Sequence, residues 1–122
     1  MTARPETVQL AQSLAQVAYD KKGLDIKILD VSDLHSLIEC FVLVTAMNGR
    51  HAQVLGEDAL ARVKQGAIQP WHLERSEDWI CGDFSDVVLH VFTEDARRYY
   101  DLDHLWADAP VIEWTPTQAA SA

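Results

Sequence analysis

Only two cysteines, Cys40 and Cys81, occur in the 122 residues of this chain. Each sits in an apolar run, and neither has a second cysteine close by. A disulfide scaffold and a four-cysteine zinc site are therefore excluded by count, and both thiols are read as buried and reduced. Glycine is also thin. The five glycines are scattered, and neither the dinucleotide-binding nor the P-loop spacing occurs, so no backbone cradle for a phosphate is encoded. No apolar run approaches the roughly 18 residues that a membrane helix needs. The opening Met1-Thr2-Ala3-Arg4-Pro5-Glu6 puts a proline and an acid where a secretory signal has its apolar stretch, so the expected location is cytoplasmic.

Positive charge is the other shortage. Ten Lys and Arg stand against 19 Asp and Glu, a net charge of −9. Such a chain repels nucleic-acid phosphates and anionic membranes and attracts a basic partner, so direct DNA binding and membrane binding are set aside. The imbalance is local. Residues 1–73 carry eight acids and seven bases, whereas residues 74–108 carry ten acids and three bases.

What is present is the ordinary mix of a globular domain, 48% apolar and 24% charged, at a length that suits one core. Residues 5–22 read as an amphipathic helix, with Pro5 at its first position, Glu6 in its first turn, Lys21 and Lys22 in its last and Gly23 as terminator. Residues 25–31 read as a strand, and 38–46, a continuous β-rich apolar run, as a strand covered on both faces. Asn48-Gly49 opens a helix over about 49–65, closed by Gly66, in which Gly56 is a local weakness. Residues 69–75, with Pro70, read as a short edge strand. Residues 79–84 and 87–93 read as strands joined by a tight turn at Ser85-Asp86. Thr93 caps a helix to about Tyr100, and Asp101 caps a last turn through Trp106. The expected order is α-β-β-α-β-β-β-α. It implies an α/β fold, one mixed sheet flanked by helices, over residues 1–110, with a flexible tail from 111 to 122.

Little in this pattern is catalytic. The five histidines share no metal-binding spacing. The sharpest enzymatic reading is Asp83 with Asp86 around the turn and His90 along the next strand, as in a metal-dependent nucleotidyltransferase or hydrolase. Aspartates at a turn more often bond their own backbone, and the phosphate loop is missing. Cys81 lies in a strand without a neighbouring histidine, which speaks against a nucleophile. No cofactor is expected. What remains is the aromatic and acidic content of 74–108. Trp79 follows Glu77-Asp78 at the start of a strand and is expected to be partly exposed, the composition of a protein-binding hot spot. Composition alone leaves simple packing equally open.

Asp25-Ile-Lys-Ile-Leu-Asp-Val, Glu39-Cys-Phe-Val-Leu-Val-Thr-Ala-Met-Asn-Gly-Arg-His, Trp79-Ile-Cys-Gly-Asp-Phe-Ser-Asp-Val-Val-Leu-His-Val-Phe and Arg98-Tyr-Tyr-Asp-Leu-Asp-His-Leu-Trp together resemble the ribosomal silencing factor, or Iojap-related, family from about Val8 to Pro110. The resemblance implies a nucleotidyltransferase-like core without catalytic residues. It implies a translation repressor that binds the large ribosomal subunit through its protein numbered fourteen and blocks joining of the small subunit, and a possible homodimer. Onto the family's recurrent positions fall Trp79, Ile80, Asp83, Asp86, His90, Tyr100, Leu102 and Trp106, the expected partner-binding residues. Trp79 and Asp83 come first among them, and Trp106 is alternatively a pin for the last helix. Asn48, Arg50 and His51 match the strand-to-helix loop. Ser85 departs from the pattern, standing where a glycine is usual.

Overall fold

In a computed structural model, which describes residues 3–64 and 72–117, five strands form one mixed sheet. The elements are α1 (Pro5–Asp20), β1 (Leu24–Asp30), β2 (Cys40–Ala46), α2 (Gly49–Lys64), β3 (His72–Arg75), β4 (Trp79–Asp83), β5 (Val87–Thr93), α3 (Glu94–Tyr100) and α4 (Leu102–Leu105). This is the expected order, with the last turn a short helix of its own. The strands lie in the order β1-β2-β5-β4-β3. The β2–β5 pair is parallel, and the β1–β2, β4–β5 and β3–β4 pairs are antiparallel. Among the described residues, no helix is long and apolar enough to cross a membrane.

All seven residues of β2 are buried, as its continuous apolar run predicts for a strand covered on both faces. One face packs under α1 and α2, where Leu14, Ala15, Ala18, Leu55 and Ala59 meet Ile28, Val42, Val44, Ile80, Leu89 and Val91. The other face packs a smaller cluster of Leu29, Val31, Phe41, Leu43, Phe92, Ala96 and Ala109 under the short α3–α4 segment. Period-two alternation divides each strand between these two cores.

The glycines act by close approach rather than by conformation. The left-handed residue that closes α1 is Lys22, at φ 72°, and among the described residues no glycine has a positive φ. Gly23 is needed for another reason: a Cβ there would lie 2.8 Å from Val44 Cγ1 and 2.9 Å from the Ala18 carbonyl. Gly56, the apparent weakness of α2, lets that helix settle on β4, since a Cβ there would lie 2.7 Å from Ile80 Cγ2. Gly66, Pro70 and the start of the expected edge strand at 69–71 lie outside the described residues. The part that is described, β3, is an edge strand.

Two further expectations are corrected. Asp101 does not cap α4 with its side chain. It stands left-handed at φ 50°, and its backbone N–H closes α3 on the Arg97 carbonyl at 2.9 Å. The stretch after Pro110 is not loose from 111 to 117. Val111 bridges Leu29 on the outer edge of β1, and the Ile112 N–H donates to the Ile28 carbonyl at 2.8 Å. Trp114 sets its ring edge-on to Tyr19, and the Gln16 amide exchanges two hydrogen bonds with the Thr117 backbone, at 2.9 and 3.0 Å. An edge strand with free N–H and C=O groups attracts such a partner, and two apolar side chains make the covering segment stay. Residues 118–122 lie outside the described residues.

Candidate functional site: an aromatic band on the thinly covered face

Helices α1 and α2 cover one face of the sheet along its length. Among the described residues, the opposite face is covered by two short helices, α3 and α4 of 7 and 4 residues, by the turn to Ala109, and by the loop after β1, where Val31, His35 and Ile38 pack. Across it runs a continuous line of rings. Tyr99 meets Tyr100 edge-on at 5.0 Å between centroids, and Tyr100 lies 4.5 Å from Trp79. Trp79 lies 5.7 Å from His90, His90 meets Phe41 edge-on at 5.0 Å, and Phe41 meets Trp106 edge-on at 5.2 Å. Phe92 supports the middle, stacked on His90 at 5.9 Å and 4.9 Å from Trp79. Apart from the stacked His90–Phe92 pair, the geometries are the tilted and edge-to-face ones that ring quadrupoles favour.

The band is buried in the middle and open at one end. Phe41, His90 and Phe92 are buried, Trp79 is half-buried, and Tyr100 and Tyr99 are 43% and 82% exposed. Around the open end stand the exposed acids Glu77, Asp78 and Glu94, none of which forms an ion pair among the described residues. The three cations of 74–108 are already engaged: Arg75 with Glu57, Arg97 with Asp103 and Arg98 with Asp95. The negative potential at this end is therefore not neutralised locally.

Arg97 and Asp103 hold the α3–α4 segment in place. The Arg97 side chain is 12% exposed and grips both oxygens of Asp103 at 3.0 Å. It also donates to Thr45 Oγ1 at 2.9 Å and to the Asp25 carbonyl at 2.6 Å. Asp25 is left-handed, at φ 47°, where the β1–β2 register slips between Leu24 and Lys27. The bulge presents that carbonyl to Arg97. Hydrogen bonds from Arg97, together with nearby Lys27, hold the Asp103 carboxyl down to about 2. The six-residue spacing of Arg97 and Asp103, across a helix break, is the only trace of this pair in the sequence.

The expected partner-binding residues separate into groups. Trp79 and Tyr100 belong to the open end of the band. Asp83 is exposed at the far end of β4, where its Oδ1 accepts the Ser85 N–H at 3.0 Å. Leu102 and Trp106 are half-buried against the second core, where Trp106 packs on Phe41. Ile80 is a correction: alternation turns it away from Trp79 into the core under α2, where it is fully buried and no partner reaches it. His90 is a second correction, since at 7% exposure it is the floor of the band rather than its surface. Asp86 forms an ion pair with Arg4, which also binds Glu39 at 2.9 Å.

Asp83, Asp86 and His90 are thus committed to a turn, an ion pair and a ring stack. No group of three or more His, Cys, Asp or Glu side chains among the described residues is placed to hold a metal ion. Of the cysteines, Cys40 is buried as expected, its thiol pushed up to about 12 by burial, while Cys81 is only half-buried, with burial raising its thiol as well. Neither is poised as a thiolate. His51 fastens the strand-to-helix loop: its Nδ1 accepts the Met47 N–H at 2.9 Å and its Nε2 bonds the Lys21 carbonyl at 2.7 Å. Asn48 caps the same loop, accepting the His51 N–H at 2.8 Å.

The family model described as "Ribosomal silencing factor during starvation" matches residues 4–122. The chain belongs to the ribosomal silencing factor family. It is 30% identical to the ribosomal silencing factor of Bacillus subtilis over 96 residues, 77% of this chain and 81% of that one. It is likewise 30% identical to that of Chromobacterium violaceum over 103 residues, 83% and 84% of the two chains. The chloroplastic Iojap protein of Arabidopsis thaliana is 32% identical over 115 residues, 88% of this chain and 46% of that longer one. A crystal structure of a Chromobacterium violaceum protein superposes with a TM-score of 0.74 at 29% identity, covering 93% of each chain. One from Bacillus halodurans gives 0.72 at 28% identity, covering 90% of this chain and 99% of that one. Trp79 of β4 and Tyr100 of α3, 21 positions apart in the chain, meet in space at the aromatic band.

Proposed function

We propose that this member of the family represses translation by binding, not by catalysis. Its target is the large ribosomal subunit in the cytosol, through the basic protein numbered fourteen, and its presence there blocks joining of the small subunit. The observation that carries this reading is the open end of the band, where Trp79, Tyr100 and Tyr99 lie beside the unneutralised Glu77, Asp78 and Glu94. Large aromatic rings in an acidic surround suit a basic protein surface, with the rings supplying affinity and the charge supplying steering. Asp83 at the far end of β4 extends the same face. A homodimer is part of this reading, and sedimentation equilibrium of the free protein tests it.

The experiment is co-sedimentation with isolated large subunits, followed by a joining assay with small subunits. The protein should pellet with large subunits and reduce joining, and binding should weaken as salt is raised. Trp79→Ala should weaken binding by about 2 kcal/mol or more, with the circular dichroism spectrum retained. Unchanged joining at a many-fold excess of the protein would sink the proposal.

A further inference from the structure

His90 carries a cost that packing does not explain. It is 7% exposed, and its Nε2 is buried without a hydrogen-bond partner. Its Nδ1 accepts the indole N–H of Trp79 at 3.2 Å, which places the ring proton on the unpartnered Nε2. A buried donor with no acceptor is unfavourable. The surroundings are aromatic: Phe92 stacks on the imidazole within 6° of parallel, and Phe41 stands edge-on to it. A phenyl ring would fill this place without the orphaned donor. What histidine supplies and phenylalanine cannot is an acceptor beneath Trp79.

We infer that His90 is a positioning residue for Trp79, holding the indole by its N–H from the floor of the band so that the ring stays presented to the partner, which His90 itself never touches. The inference rests on the binding role proposed above for the same face. Trp79 begins β4 and is half-buried, so its rotamer is not fixed by close packing on every side. Held by this bond, the indole N–H is satisfied inside the protein while the ring stays half-exposed. Without the acceptor, the N–H must turn toward water, and the indole loses its single orientation. Stability is given up at His90 and orientation is gained at Trp79, the exchange expected at functional sites.

The test compares His90→Phe, which keeps the ring and removes the acceptor, with His90→Asn, whose Oδ1 can stand where Nδ1 does. The Trp79 indole signal in the nitrogen–proton spectrum is assigned by its loss in Trp79→Phe. In His90→Phe, melting no lower than wild type is expected, with exchange of the indole N–H faster by about tenfold or more. Its affinity for isolated large subunits should fall by about tenfold or more, while His90→Asn should stay within about threefold of wild type. Unchanged affinity in His90→Phe, or equal loss in both variants, overturns the inference. Should wild-type protein itself not bind large subunits, the proposed function fails. The indole exchange of the free protein then decides alone, a tenfold rise upholding the positioning role and no change overturning it. Should His90→Phe not fold, His90→Leu takes its place under the same thresholds.

Discussion

The guanidinium of Arg97 closes on the carboxylate of Asp103 with two parallel hydrogen bonds of 3.0 Å, across the break between α3 and α4. These two helices carry Tyr99, Tyr100 and Leu102, so the pair fixes one wall of the aromatic band. Arg97→Lys keeps the charge but loses the fork, and it cannot reach Asp103, Thr45 and the Asp25 carbonyl together. A loss of about 2 kcal/mol in urea unfolding is expected, since charged hydrogen bonds at a mostly buried site are broken. Binding to large subunits should weaken in parallel, because the wall moves.

The buried imidazole makes stability depend on pH. Burial lowers the His90 pKa from 6.5 to about 4. The unfolded chain therefore binds the proton more readily than the folded one. The contribution of neutral His90 is complete above about 6.5 and is lost as pH falls from there toward 4, by about 3 kcal/mol in all. Unfolding curves at several pH values should show wild type losing stability against His90→Phe across that window. Parallel curves for the two proteins would contradict it.

Ser85 occupies the left-handed region at φ 74° in the Phe84-Ser85-Asp86 loop between β4 and β5. The Asp83 carboxylate supports that turn by accepting the Ser85 N–H. A Cβ in this region is unfavourable, whereas glycine adopts it freely at some cost in unfolded-chain entropy. Ser85→Gly should therefore raise stability by about 0.5 kcal/mol, read as a higher urea midpoint with an unchanged slope.

The segment from 111 to 117 is held to α1 and β1 chiefly by Ile112 and Trp114. Trp114→Ala should cost about 2 kcal/mol, less than a fully buried tryptophan because the ring is half-exposed. Amide exchange should rise at Ile112, whose N–H pairs with β1, while the band on the opposite face of the sheet keeps its protection.

Much of this architecture is legible in the amino-acid order itself. Apolar spacing at three and four residues marks α1 and α2, and the unbroken run of β2 announces a strand buried on both faces. The acids and aromatics of 74–108 point to one binding segment. These signals are local, because hydrophobic period and turn chemistry act over a few residues. Alternation even places Trp79 and Ile80 on opposite faces, yet nothing in it says which face α2 covers. Tertiary structure decides that, and with it that Ile80 is fully buried and Trp79 is half-exposed. It also brings Phe41 of β2 beside His90 of β5, 49 positions on, and Val111 beside Leu29. Such pairings depend on strand order and on which edge remains open, so they are settled only when the whole sheet is assembled.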